Sequence, residues 1–377
     1  MSYISSIRLK NFRNLDDQDI QLTSSANILI GSNGAGKTNV LESVSLLSPG
    51  RGIKKQLLSK ITKNQSKEPW TIFIKYIKKD NSELEIALTY EEKNDSSNIK
   101  KILIDGNRQK KLSELEYIPP IIWFIPEIER LFIGSPSIRR DFIDRITYSF
   151  EKKILSEINS YNKLLKERQK ILKFNNYDND WISKIEKKIA QLGIEIIIKR
   201  NNTINLINEM YDKIYSKIKI NRCFIEIIGE IDKFVINNKR DISEKKYINE
   251  LSKSREDDKI RGGCKIGPHK SDIKFIYLKE NIEASFCSTG QQKEIILNTL
   301  LCQVYCLIVL FKKKPIILLD EICSHLDHNI RSILLHFIEW LEIQVLMTGT
   351  DDKLFSFLEK KARFFSVKNG NVESKLD

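Results

Sequence analysis

The sequence predicts an α/β fold in which a strand-rich head is interrupted by an inserted arm of short antiparallel helices and then completed. Three observations predict it. Residues 1–135 hold a succession of short alternating runs with turn residues between most of them, the period-2 pattern of half-buried strands. Residues 136–222 change to a helical period with dense mixed charge. Residues 223–377 return to strand-like runs and include an apolar run, 315–319, that ends in Asp320 and Glu321 and follows an apolar helix, the pattern of a buried helix feeding a buried parallel strand. A chain of 377 residues exceeds the size at which single cores usually stop growing, so one large domain with an insertion, or two domains, is expected.

In order, strands are expected over 4–12, 20–22, 27–30, 71–77, 84–90, 102–105 and 121–125. The first helix begins within 34–37 and continues through Leu47, where Pro49-Gly50 stops it. In the arm, Leu155, Ile158, Tyr161, Leu164 and Leu165 share one face over residues 138–174. Trp181, Ile185, Ile189 and Leu192 do the same over 178–218, with a turn at 175–180. Helices of this length suit a short arm and not a long coiled coil. A strand at 223–231, a charged stretch near 252–261 and a strand at 273–278 lead to the apolar helix.

The formal net charge of +13 suits a polyanionic partner, of which nucleic acid is the commonest. A composition crowded with Ile, Lys and Asn, as AT-rich coding gives, supplies part of that excess by itself. The six cysteines, Cys223, Cys264, Cys287, Cys302, Cys306 and Cys323, show no paired spacing and no secretory leader precedes them, so a reducing, cytoplasmic setting is expected. Cys302 and Cys306 lie four apart on the apolar helix without a His or acidic companion, which fits buried thiols better than a metal set. The apolar stretch 295–311 is about 17 residues long, marginal for a bilayer core of about 30 Å. It contains Asn298, Thr299, Gln303 and Tyr305 and runs almost directly into the 315–319 strand, so no membrane span is expected.

Residues 27–30 read as a buried strand, and Gly31, Ser32, Asn33, Gly34, Ala35, Gly36, Lys37 and Thr38 then match G-x-x-x-x-G-K-[ST] with a helix following, the context a phosphate loop requires. The glycines let backbone N–H groups turn inward around phosphates, Lys37 reaches the β and γ phosphates, and Thr38 offers a hydroxyl to Mg²⁺. ATP and Mg²⁺ are the cofactors this implies. The carboxylates at the end of the 315–319 strand complete the pattern: Asp320 would hold the Mg²⁺ shell and Glu321 would orient or deprotonate the water attacking the γ-phosphate.

Ser288-Thr-Gly-Gln-Gln292 opens the apolar helix, and a serine, a glycine and a helix N-terminus together make an anion site. The phosphate loop already surrounds its own nucleotide, so Ser288, Gly290 and Gln291 would serve the nucleotide of a second subunit. Their place shortly before the Asp320 strand is that of the ABC arrangement. Asp327, in a D-loop at 324–327, and Thr350, at the end of a strand over 345–350 and a candidate γ-phosphate sensor, follow in the expected order. The fold class is therefore α/β, an ABC-type P-loop ATPase head with an inserted helical arm.

The chain resembles the RecF family, DNA-repair ATPases related to SMC proteins, over nearly its whole length. The resemblance rests on Ile-Arg-Leu-Lys-Asn-Phe-Arg-Asn at 7–14, on residues 31–42, on Gly-Ser-Pro-Ser-Ile-Arg-Arg at 134–140 with Asp144, on Gly267-Pro-His269 with Asp272, and on 288–292. It implies an ATP-dependent homodimeric clamp that sandwiches ATP between one phosphate loop and the partner subunit's signature serine, grips single-stranded and gapped duplex DNA, and releases on hydrolysis. It further implies a role in recombinational repair, replication maintenance and the SOS response, with RecO and RecR as partners. Glu321 stands where the family pattern usually has a second aspartate, which keeps a carboxylate.

Arg13, just past the first strand, is a further candidate for the nucleotide phosphate or base, or else a solvated loop arginine. Arg51, Lys54, Lys55, Lys60 and Lys63 form the densest early basic cluster, suited either to a DNA backbone or to a solvated face. Arg139 and Arg140 are expected to pair with carboxylates such as Asp141 or Asp144, and His269 to pack or turn. The ATP-binding subunit of a transporter would share the nucleotide motifs, but seldom carries two long charged helices between the phosphate loop and the signature.

Overall fold

Where the sequence alternates, the chain pairs. In this computed structural model, which describes residues 2–63, 68–91, 99–109, 118–174, 177–218, 220–321, 328–358 and 361–375, the N-terminal part forms β1 (Tyr3–Lys10), β2 (Gln18–Gln21), β3 (Ala26–Ile30), α1 (Lys37–Ser45), β4 (Trp70–Ile77), β5 (Glu83–Glu91), β6 (Ile99–Ile104), β7 (Asn107–Gln109) and β8 (Ile121–Phe124). The C-terminal part adds β12 (Ile316–Leu319), α9 (His328–Leu341), β13 (Val345–Gly349), β14 (Ala362–Lys368) and β15 (Asn371–Ser374). These segments make one compact unit, Met1–Ile128 with Leu307–Asp377.

That unit holds two six-stranded sheets. One is antiparallel, in the order β2-β1-β4-β5-β6-β7. The other, β15-β14-β3-β13-β12-β8, is parallel except for the β14–β15 hairpin. Every residue of β3, β8, β12 and β13 is buried, as parallel strands covered on both faces require. Val40, Leu41 and Val44 of α1 share one core with Leu29, Leu318 and Leu346 of the parallel sheet and Ile7, Ile72, Ile74 and Leu88 of the antiparallel one. Gln344, 2 % exposed, joins the sheets: its side-chain amide exchanges two 2.8 Å hydrogen bonds with the backbone of Ile4, imitating a strand partner.

The second unit, Glu129–Cys306, contains α2 (Pro136–Phe150), α3 (Ile154–Leu172), α4 (Asn179–Tyr215), β9 (Cys223–Ile228), α5 (Glu230–Asn237), α6 (Arg240–Lys253), α7 (Arg255–Arg261), β10 (Asp272–Tyr277), β11 (Ile282–Glu283) and most of α8 (Thr289–Val309). Asp178 caps α4 by accepting from the amides of Asp180 and Trp181. α3 and α4 run antiparallel, fastened by Lys199 to Glu157 and Arg168 to Glu186. The strands form a sheet in the order β11-β10-β9.

Two expectations about organisation change here. The helical run over 138–174 breaks at 151–153 into α2 and α3, and the unit boundaries fall at 128/129 and 306/307 instead of 135/136 and 222/223. The reason is α4: Asn208 exchanges hydrogen bonds with the backbone of Ile225 in β9, and Tyr211 bonds Thr299 of α8, so residues beyond 222 pack with the arm. Among the described residues α8 is long and apolar enough to cross a membrane, but 78 % of its most apolar stretch is buried inside the protein.

Candidate functional site

The loop from Gly31 to Thr38 leaves β3 at its buried end and enters α1 at Lys37. Two glycines are required by geometry. Gly36 has φ 116° as the residue before α1, and a Cβ on Gly31 would lie 2.2 Å from the carbonyl oxygen of Val367 in β14. The loop is held from three sides: Gly31 N–H donates to Gly349 O of β13, Gly370 N–H in the β14–β15 turn donates to Ala35 O, and Asn14 Nδ2 donates to Gly34 O. Ser32, Asn33 and Gly34 form its exposed rim, while Ala35, Gly36 and Lys37 are buried. Lys37 Nζ donates to the carbonyls of Gly31 and Ser32, both at 2.9 Å, and lies 3.7 Å from Glu321 Oε1.

Parallel register brings the second half of the site alongside. β13 lies between β3 and β12, pairing Leu29 with Thr348 and Leu319 with Met347, so the ends of all three strands reach one level. Asp320, 6 % exposed, accepts from the Thr38 hydroxyl, whose oxygen is 2.9 and 3.0 Å from the two carboxylate oxygens. A hydroxyl and a carboxylate, oxygen donors only, fit a hard divalent cation such as Mg²⁺. Glu321 takes a left-handed φ of 51°, which turns it out of the strand line.

Thr348 is the residue the motifs did not single out. Buried to 1 %, its hydroxyl donates to Asp320 Oδ1 at 2.7 Å and accepts from Glu321 N–H at 2.8 Å. Its signal in the sequence is a lone hydroxyl in the otherwise apolar strand Val345-Leu-Met-Thr-Gly. Thr350, the expected sensor, lies beyond the end of β13 and is exposed, because the strand stops at Gly349. Asp327 lies outside the described residues, as do Ser324 and Cys323.

Ser288, Thr289 and Gly290 are exposed at the start of α8, in the other compact unit. Ser288 Oγ accepts from Gln291 N–H at 3.3 Å and Gln291 Oε1 accepts from Ser288 N–H at 2.9 Å, a reciprocal cap that fixes the helix entry.

The chain belongs to the RecF family. The sequence profile of the RecF/RecN/SMC N terminal domain matches residues 3–373. The DNA replication and repair protein RecF of Rickettsia prowazekii (strain Madrid E) is 36 % identical over 360 residues, covering 95 % of this chain and 97 % of that one. A solved RecF-ATPrS structure, described as a recombination mediator protein in the RecFOR pathway, superposes with a TM-score of 0.86 at 26 % identity, covering 100 % of this chain and 98 % of the other. An SMC head from Pyrococcus furiosus with an extended coiled coil shares the fold, with a TM-score of 0.55 at 16 % identity over 99 % and 96 % of the two chains. The α/β head with an inserted arm is thus the RecF and SMC head fold.

Most of the remaining candidate side chains of this RecF-family chain find partners within the structure. The Arg13 guanidinium is bidentate on Glu42 at 2.9 and 2.6 Å and also donates to Gln56 and to Lys60 O. Glu42 is fully buried, and removing its partner would leave a buried charge at a cost of about 3–5 kcal/mol, so Arg13 has a structural role. The basic cluster is partly neutralised, since Lys54 lies 3.9 Å from Glu42 and Lys63 pairs with Asp16, while Arg51, Lys55 and Lys60 are exposed. Arg139 pairs with Asp272 at 2.7 and 2.9 Å and Arg140 donates to Ser271 O, while Asp144 takes Arg200. His269 packs as expected, between the Tyr161 hydroxyl at Nδ1 and the Cys264 carbonyl at Nε2.

Proposed function

We propose that this chain binds and slowly hydrolyses ATP, and that ATP closes two copies into a clamp on single-stranded and gapped duplex DNA during recombinational repair and replication maintenance, including the SOS response. The observation that carries this is the meeting of the Thr38 hydroxyl with the Asp320 carboxylate, with Lys37 of the same loop 3.7 Å from the neighbouring Glu321. A loop of backbone amides and a lysine suit a triphosphate, and a buried oxygen pair suits its cation. Thr38 and Asp320 would hold Mg²⁺, which would supply charge neutralisation to the triphosphate. Lys37 leaves the carbonyls of Gly31 and Ser32 to meet the phosphates, and Glu321, 3.7 Å from it, orients the attacking water.

Ser288, Gly290 and Gln291 present an exposed, capped helix start whose amides suit the γ-phosphate of a second copy's nucleotide. Asp327, in the D-loop, and Thr350, as a γ-phosphate sensor, remain candidates to line the nucleotide. The relatives' name, DNA replication and repair protein RecF, and the net charge of +13 support DNA as the ligand, with Arg51, Lys55 and Lys60 the exposed members of the basic cluster suited to its backbone. RecO and RecR are the partners this reading implies, and the setting is cytoplasmic. DNA stimulates turnover, which stays slow because hydrolysis acts as a release switch.

The test is binding to gapped duplex DNA with and without ATP for the wild type, Lys37→Met and Ser288→Arg. ATP is expected to tighten binding by the wild type only. Affinity that weakens with salt but ignores ATP in all three proteins contradicts the clamp.

A further inference from the structure

The hydroxyl of Thr348 couples two groups that the reaction needs in fixed positions, and no motif reading includes it. β13 lies between the strand that feeds the phosphate loop and the strand that ends in Asp320, and the Leu319–Met347 register puts Thr348 level with Asp320. From that central place one oxygen does two things. It donates to Asp320 Oδ1 at 2.7 Å, the same oxygen that Thr38 approaches at 2.9 Å, and it accepts from Glu321 N–H at 2.8 Å. The second bond matters because Glu321 has φ 51°, a conformation that side-chain-bearing residues adopt only when neighbouring bonds hold it. That turn points the glutamate chain back to within 3.7 Å of Lys37.

Resting on the ATP-hydrolysis reading above, we infer that Thr348 is a positioning residue for that reaction: it sets the rotamer of Asp320 and the backbone turn that aims Glu321. A methyl in place of the hydroxyl leaves the volume almost unchanged while removing both bonds. Only a residue that can donate and accept at one atom serves here, so serine is the conservative replacement and valine the disabling one. Partners that orient the groups around a cation typically change metal affinity or activity about 10–100-fold when removed.

The experiment compares wild type, Thr348→Ser and Thr348→Val by three readouts: hydrogen–deuterium exchange of the residue 321 amide in nucleotide-free protein, Mg²⁺ titration of ATP-analogue binding, and steady-state ATP hydrolysis. Thr348→Ala, which adds no methyl against Asp320, replaces the valine variant if that does not fold. The valine protein is expected to exchange faster at residue 321, to need about 10-fold or more Mg²⁺ for half-maximal binding, and to lose about 10–100-fold in kcat with little change in KM for ATP. Serine restores all three. Unchanged exchange at residue 321 in the valine protein, or wild-type kcat and Mg²⁺ dependence despite faster exchange, overturns the assignment. A wild type that neither binds nor hydrolyses ATP instead defeats the reading beneath it.

Discussion

Arg168 is 1 % exposed, and its guanidinium reaches Glu186 at 2.9 Å, Asp258 at 2.6 Å and the Leu251 carbonyl at 2.7 Å. Asp258 in turn accepts from Ser254 and from Lys265 N–H, which ties α7 and the loop leading to Gly267-Pro268-His269 to the arm helices. Exposed pairs such as Arg8–Asp19, with side chains 65 % and 43 % exposed, contribute only about 0–1 kcal/mol. Removing one partner of a buried pair costs about 3–5 kcal/mol. Asp258→Ala is therefore expected to lower the free energy of unfolding by that amount in a denaturant titration, and Asp19→Ala to leave it within experimental error. His269 gives a pH signature. Burial pushes its pKa below the usual histidine value, with the Cys264 carbonyl opposing the shift. The unfolded chain therefore takes up a proton near pH about 6.5 that the folded chain refuses, so this contribution to stability is complete above that pH and is lost as pH falls towards the folded value. The difference in unfolding free energy between wild type and His269→Asn should shrink on going from pH about 7 to about 5; a difference independent of pH over that range contradicts the assignment. Motifs made Lys37, Thr38, Asp320 and Glu321 legible because their chemistry fixes residue type and spacing. Arg13 and Thr348 were not legible, since their partners, Glu42 and Asp320, lie 29 and 28 positions away and no local pattern marks either pairing.

At the scale of elements, the phosphate loop is braced by the β14–β15 hairpin, more than 330 positions away in sequence. Gly31 sits against the Val367 carbonyl, and Gly370 N–H holds Ala35 O at 3.1 Å. A methyl on Gly31 would need to displace backbone and not a flexible side chain. Overpacking of this kind costs about 1–3 kcal/mol, and Gly31→Ala is expected to weaken ATP binding roughly tenfold or more, measured by calorimetry, because the strain falls on the loop itself. Wild-type affinity in that variant would show that the hairpin can yield without disturbing the loop. Most strands of the head were readable to within a few residues, since alternating burial on β1, β4 and β5 writes itself into the sequence, but β7 and the β14–β15 hairpin that braces the loop were not. α6 was not. It buries Ser243, Tyr247 and Leu251 alone, four apart, and its many charges hide so narrow a stripe.

For the whole molecule, the nucleotide motifs fall on two compact units: the phosphate loop, Asp320 and Glu321 in one, and Ser288 to Gln292 in the other. The order of the motifs along the chain was legible, but the unit boundaries were not, because α4 gathers residues beyond 222 through contacts that only the folded chain reveals. The central claim is that a nucleotide bound at Gly31–Thr38 is completed by Ser288 of a second copy, and solution mass tests it most directly. The chain has a mass of 44.0 kDa, so sedimentation with Mg²⁺ and a slowly hydrolysed ATP analogue should move the wild type to about twice that mass, while Ser288→Arg binds the analogue and stays at 44.0 kDa. A wild type that saturates with nucleotide and remains at 44.0 kDa, or a Ser288→Arg protein that doubles its mass as the wild type does, contradicts the account.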